Sequence, residues 1–373
     1  MQRAKRKLEH IKYALELGAG PASTHLADVR FLHKCLPELN PADIDLSVQI
    51  LGKRLRLPFF IDAVTGGTQA VADVNRKLAQ VAARVGIGMA VGSQYGAVRE
   101  DGDKSSYEVV REELGEGLVI GNISALATAE QAQRAVDMLK ADALEVHLNA
   151  AQELWMAEGD KDYAGLLDKM VQMKAALSVP VIAKETGCGI AAEQYRLLLD
   201  AGFRYFDCAG AGGTNFPAIE AARQGVALSE EFASWGVPTC WSLIDAQAVL
   251  PQDAVLLGSG GVQNAADAVR VLALGADAVG ITGVVLRLVV HDKIHDVFLR
   301  CGCVRDGFRH LKAGMTCLGD GLEPFLLQAC SGGFESFEGH KLVDLRLLRP
   351  EHGREAQEGR CLCRDHHRGR FHL

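Results

Sequence analysis

The stretch "AVLLGSGGVQNAADAVRVLALGADAVGITG", residues 254–283, decides the fold. It opens with an apolar run ("AVLLGSGG"), continues as an amphipathic helical pattern ("NAADAVRVLALGA") and closes on a second apolar run ("DAVGITG"). Short continuous apolar runs mark strands buried on both faces, and a helix between two of them makes a parallel βαβ unit. Outward from this unit the same run recurs at "LPFFIDAV" (57–64), "IGMAVGS" (87–93), "LVIGNI" (118–123), "ALEVHL" (143–148), "VPVIAKE" (179–185) and "RYFDCAG" (204–210). Helical patterns such as 71–85, 129–141 and 163–177 lie between them. Eight buried strands separated by helices predict an α/β protein, a single (β/α)8 TIM barrel. An open doubly wound sheet would need a GxGxxG first turn with an acidic residue after it, and none is present.

The barrel is expected over 58–290, behind an N-terminal cap segment (1–57) in which "LNPADIDLSVQILGKRL" reads as a cap or hairpin. From 291 the chain changes character. Six of the ten cysteines and eight of the twelve histidines fall in 291–373, and helical periodicity fades there. That tail admits three readings: an out-of-frame translation, a divergent folded extension, or a metal site from Cys301, Cys303, Cys361, Cys363, His366 and His367. CxC spacing is not the CxxC of ordinary zinc sites.

A net charge of −7 speaks against a nucleic-acid or membrane-surface binder, so any anionic ligand must meet local positive charge. There is no apolar stretch long enough for a membrane span, and no apolar region follows the basic N-terminus as it would in a secretory signal. Outside the tail the cysteines are scattered singly, which suits a reducing cytoplasm.

Barrel chemistry sits where the strands end. Here the ends read Thr65-Gly66-Gly67, Gly92-Ser93-Gln94, Asn122, "HLNAAQE" (147–153), Lys184-Glu185, Gly210 to Thr214, Ser259 to Val262 and Gly283 to Val285. Every strand offers a polar side chain or bare glycine backbone. Each alone is also what an ordinary turn would carry; the set points to a site. The glycines after the seventh and eighth strands leave backbone N–H groups open to a phosphate. Lys184, inside an apolar run, must find an anion or stay solvated. It suits a flavin edge, or a pairing with Glu185 or Asp207.

Together "RKLEHIKYAL", "TGGT", "GSQ", "HLNAAQE", "VPVIAKETGCGI", "GAGGTNFPAIEAAR" and "GSGGV…ALGADAVGITG" resemble the type 2 isopentenyl diphosphate isomerases over about residues 5–290. The resemblance implies an FMN-dependent barrel enzyme interconverting isopentenyl and dimethylallyl diphosphate. Reduced FMN, generated with NADPH, would act as acid and base, with Mg2+ on the diphosphate. It also implies a homo-oligomer, tetramer or octamer. Carried over residue by residue, FMN would meet Thr65, Gly66, Gly67, Ser93, Asn122, Lys184, Thr214, Gly260, Gly261, Gly283 and Val284. The diphosphate substrate would meet Arg6, Lys7, His10, His147, Asn149, Gln152 and Arg223. Gln152 would also sit at the reacting carbons as the catalytic residue, and Glu153 would bind the metal.

Four departures stand out: Val64 where the family usually has Met, Asp62 for Asn, Gln263 for Arg, and the tail. Two other readings compete. An FMN oxidoreductase of the hydroxy-acid-oxidase kind needs a His base and paired Arg near the seventh strand, or a loop Cys near the sixth. "GSGGVQ" and "GAGGTN" offer neither. The aberrant tail would suit an inactive paralogue.

Overall fold

The computed structural model describes residues 2–18, 20–31, 33, 35, 36, 38, 40–100 and 102–291, with two backbone segments at 326–329 and 342–344. Eight parallel strands close into a barrel: β1 (Phe59–Ile61), β2 (Gly88–Ala90), β3 (Val119–Ser124), β4 (Ala143–Leu148), β5 (Val181–Glu185), β6 (Tyr205–Asp207), β7 (Val255–Gly258) and β8 (Ala278–Ile281). Each pairs with its sequence neighbour, and β8 returns to β1 with Val279 opposite Phe59 and Ile281 opposite Ile61. All eight apolar runs are barrel strands.

Some of the intervening helices start where the sequence supplies a side-chain cap. Thr128 and Gln131 form a reciprocal capping box ahead of Ala129–Leu139, and Asn264 accepts from Asp267 N ahead of Ala265–Ala273. These caps satisfy first-turn N–H groups that the helices cannot.

Two cores follow from strand periodicity. The larger lies between strands and helices. The smaller fills the barrel interior with Phe60, Ala90, Ile120, Ala143, Ile182, Leu257 and Ala278, against which Tyr205 packs. It is closed by Ile50, Leu51 and Leu55 from an antiparallel hairpin, Val48–Ile50 with Lys53–Leu55. Leu51 (φ 50°) and Gly52 (φ 77°) both take positive φ at its turn, as a tight two-residue hairpin demands. The expected cap segment is thus a plug for one barrel end.

The helix Gln2–Leu17 serves the other end, packing on the helix Phe216–Gln224. Val29–Arg30 pairs antiparallel with 326–329, which pairs with 342–344. The candidate metal residues of the tail (Cys301, Cys303, Cys361, Cys363, His366, His367) lie outside the described residues. Among the described residues no helix is long and apolar enough to cross a membrane.

The loops after β6 and β7 touch backbone to backbone. A Cβ on Gly213 would stand 2.6 Å from Gly261 N, and one on Gly260 (φ +103°) would strike the Gly210 carbonyl. Gly225 has φ +67° and nothing within 4 Å. Thermal denaturation should therefore show Gly260→Ala costing several-fold more stability than the about 1 kcal/mol expected of Gly225→Ala. Equal losses would refute this close approach.

Candidate active site

Two residues beyond the inner apolar layer, each strand points inward again. Phe60, Ala90, Ile120, Ala143, Ile182, Tyr205, Leu257 and Ala278 give way to Asp62, Gly92, Asn122, Glu145, Lys184, Asp207, Ser259 and Gly280. The apolar layer is thereby followed by a polar ring. Lys184 Nζ donates to Asp207 Oδ2 at 2.8 Å and to Asp62 Oδ2 at 3.0 Å. Ser259 Oγ donates to Asp207 Oδ1 at 2.5 Å, and Asn122 Nδ2 donates to Glu145 Oε2 at 2.8 Å. The carboxylates of Asp62, Glu145 and Asp207 lie within 4.8 Å of one another. Among the described residues this is the one cluster with metal-ligand chemistry, and an ammonium group already serves it.

Burial opposes the charge on Lys184, but Asp207, Asp62 and Glu145 outweigh it and raise its pKa well above the ordinary value. Burial pushes Glu145 well up, aided by Asp62 and Asp207 against the pull of Lys184. Burial raises Asp207 to about 6. One cation faces three buried carboxylates, and burial together with Asp62 and Asp207 favours the neutral form of Glu145.

Above the ring opens a cavity of about 420 Å³. Asp62, Asn122 and Lys184 form its floor, and Gly66, Gly67, Ser93, Thr214, Gly260, Gly261 and Gly283 line the loops around it. The glycines are needed: a Cβ on Gly66 would collide with the Tyr107 ring. His147, Asn149, Gln152 and Glu153 line it from β4, while Arg6, Lys7 and His10 line it from the N-terminal helix. That helix is continuous across all three, and they share one face of it with Ile11 and Ala14.

In "HLNAAQE" the strand stops at Leu148, and Asn149 is the N-cap residue of the helix Ala150–Trp155 rather than a strand residue. Asn149 Nδ2 donates to Glu153 Oε1 at 2.9 Å and to Gln152 Oε1 at 3.2 Å. His147 Nδ1 sits 2.8 Å from Asn122 Oδ1. Because Asn122 spends its amide nitrogen on Glu145, its oxygen accepts the His147 Nδ1 proton. Burial, with Lys7 and Lys184, lowers the His147 pKa to about 3, so the imidazole is neutral.

Glu220 ties this wall to the roof. It accepts from Gln152 Nε2 at 3.0 Å, pairs with His10 Nε2 at 2.8 Å and meets Arg223 closely. Burial pushes its carboxyl up, but His10, Gln152 and Arg223 prevail and hold it at about 2. Arg223 stands behind Glu220, outside the cavity lining, and also pairs with Glu9 (3.1 Å) and Glu158 (3.3 Å). Thr65 is buried in the wall behind the lining, its hydroxyl without a partner, and Val284 is half-buried outside it.

Relatives of this chain match it along most of both lengths. The isopentenyl-diphosphate delta-isomerase of Moorella thermoacetica is 44% identical, across 77% of this chain and 82% of its own. That of Geobacillus sp. (strain WCH70) is 41% identical across 79% and 84%, and that of Methanopyrus kandleri 39% across 80% and 83%. The chain belongs to the isopentenyl-diphosphate delta-isomerase family. The FMN-dependent dehydrogenase family profile matches residues 15–111. Solved structures share the fold. A flavocytochrome b2 double mutant with pyruvate bound superposes with TM-score 0.62 at 15% identity, covering 82% of this chain and 78% of that one. The (S)-mandelate dehydrogenase of Pseudomonas putida gives 0.58 at 14%, covering 82% and 91%.

Within this isomerase barrel, sequence reasoning gave Glu145, Asp207, Ser259 and Glu220 no assigned site role, although it offered Asp207 as a partner for Lys184, which the structure shows, and read Ser259 among the strand ends. The first two sit inside apolar runs and read as strand interior; their two-residue offset from the apolar layer was the available signal. Glu220 lies in a helix, and only the folded chain brings it beneath His10 and Gln152.

Two outcomes follow. Lys184→Met leaves Asp62 and Asp207 buried without their cation and should cost roughly 3–5 kcal/mol, whereas Glu145→Gln, replacing a neutral acid, should unfold near wild type. Chemical denaturation checks both. For His147 the unfolded chain binds a proton near 6.5 and the folded one near 3, so stability falls as pH drops between those values. The melting temperature of His147→Gln should decline less over that window; an unchanged slope would show that His147 is not held neutral.

Proposed function

We propose that this chain interconverts isopentenyl and dimethylallyl diphosphate, with FMN reduced by NADPH and Mg2+ on the diphosphate. The observation that carries it is the convergence on one cavity of Arg6, Lys7 and His10 from the roof, and His147, Asn149, Gln152 and Glu153 from β4, above a floor holding Lys184.

The residues fit the cofactor. Gly66, Gly67, Gly213, Gly260 and Gly261 bring bare backbone to the cavity lining, and a Cβ on any of them would strike the neighbouring protein and displace these loops. Ser93, Asn122, Lys184, Thr214 and Gly283 complete the set that would hold FMN; Thr65 and Val284, behind and outside the lining, would only support it. When bound and reduced, the flavin supplies the acid and base for moving a proton on the alkene.

The chain's residues do the rest. Arg6 and Lys7, with His10 beside them, bring the positive charge that a diphosphate requires on an acidic protein, whereas Arg223 stands outside the lining, paired with Glu220, Glu9 and Glu158. Neutral His147, with its proton on Nδ1 donated to Asn122, presents an unprotonated Nε2 that accepts from water bound beside the diphosphate; its depressed basicity makes it a holder rather than a base. Gln152 is fixed at both ends of its amide, by Asn149 and Glu220, and faces the reacting carbons in one orientation. Glu153 keeps a carboxylate at the lining, hydrogen-bonded by Asn149 and by Asp160 N. That single carboxylate suits Mg2+, which takes its other ligands from diphosphate and water. We assign the enzyme to a reducing cytoplasm, as a homo-oligomer. Among the described residues Cys35, Cys188, Cys208 and Cys240 are free, which agrees with that compartment.

The solved structures of similar fold belong to oxidoreductases, but the loop after β7 here, Ser259 to Asn264, carries no His or Arg to serve a hydroxy acid. Purified protein should convert isopentenyl diphosphate only with reduced FMN and Mg2+. Gln152→Ala should lower kcat at least a hundredfold while FMN binding is retained. Turnover with oxidised FMN, or an unaltered kcat in Gln152→Ala, would overturn the assignment.

A further inference from the structure

We propose that Arg287 supplies the cation for the FMN phosphate, with Gln263 holding its guanidinium in place. The inference rests on the FMN reading above and concerns the phosphate end of that site.

The loops after β7 and β8 offer a phosphate dianion the backbone of Gly260, Gly261 and Gly283. Among the described residues the amides of Gly260 and Gly261 donate to no other group. Backbone dipoles alone leave a dianion poorly balanced on a chain of net charge −7 whose cavity floor already holds acidic groups. A charge-assisted contact is the stronger kind, and a guanidinium fork fits phosphate oxygens in pairs.

Position 263, next to the glycine pair, holds Gln. The charge comes instead from the next loop. Arg287 is four residues beyond Gly283 in the helix Gly283–Val290, and helical side chains lean back over the preceding turn. Its Nη2 accordingly lies 3.6 Å from where a Gly283 Cβ would be. The same Nη2 donates to Gln263 Oε1 at 3.0 Å, and both residues line the cavity. Lys184, at the floor, is committed to Asp62 and Asp207, and Arg6, on the roof, to Glu158. Arg287 has a neutral amide as its partner and no carboxylate among the described residues. Gln263 therefore orients the guanidinium without cancelling its charge.

A plainer role for Arg287 is to face the carbonyl end of its own short helix, and the two roles separate on the ligand. Full-length apoprotein would be titrated with FMN and with riboflavin, which lacks the phosphate, following flavin fluorescence. Arg287→Met should raise the Kd for FMN at least tenfold, leave that for riboflavin unchanged and flatten the dependence of FMN binding on ionic strength. Arg287→Lys should recover part of the loss. Equal weakening of both flavins, unchanged FMN affinity, or an unaltered salt dependence would each overturn the proposal. The salt series decides alone if riboflavin binding falls below detection. If the wild-type chain takes up neither flavin, the FMN reading itself fails. If it takes up FMN and Arg287→Met takes it up equally, only the role of Arg287 fails.

Discussion

A buried ammonium group is costly unless carboxylates meet it, and that constraint organises this molecule. Lys184 projects into the barrel axis from β5, and Asp62 from β1 and Asp207 from β6 converge on it. Ser259 then orients Asp207, and Glu145, neutral, hands the network on to Asn122 and His147. Strands from around the barrel are committed to one polar layer. Below it the interior can be apolar and plugged by the hairpin. Above it the chain must leave space, because the ring needs a polar neighbour on its open side. The cavity is the other face of the electrostatics.

Much of this was legible in the chain. Eight apolar runs became eight strands because burial on both faces of a closed barrel leaves no alternation to confuse the pattern. Their polar or glycine ends became the cavity lining because the barrel mouth gathers all the strand ends. The ring was hidden for a physical reason: in a closed barrel inward positions are adjacent only after closure. Asp62, Glu145 and Asp207 lie far apart along the sequence, each in a run that reads as core. Glu220 was hidden likewise, since its importance comes from two elements that reach it from opposite ends of the chain. The face of the N-terminal helix was partly legible: the basic residues could be seen, but not that an intact helix would present them together. Asn149 caps a helix because its strand ends one residue earlier.

The solved structures of similar fold and the curated relatives divide the molecule's properties between them. Barrel architecture is shared with flavocytochrome b2 and mandelate dehydrogenase at identities where only the fold carries over. The residues at the strand ends are a separate matter. The scaffold sets where a cofactor can sit, and the wall facing it sets what is done there.

The roof has a consequence for how the protein comes into being. His10 and Glu220 meet across 210 residues of chain. The first helix, made before the barrel, is thus among the last elements to find its place, waiting until six strands and the helix after them exist. Such distant pairings are slow to form and are made late. Until then Glu220 lacks His10 and Arg223 lacks Glu9, so the barrel can be assembled before the site is closed. An affinity tag or fusion partner placed ahead of residue 2 would burden this last step, and recombinant material is better extended elsewhere.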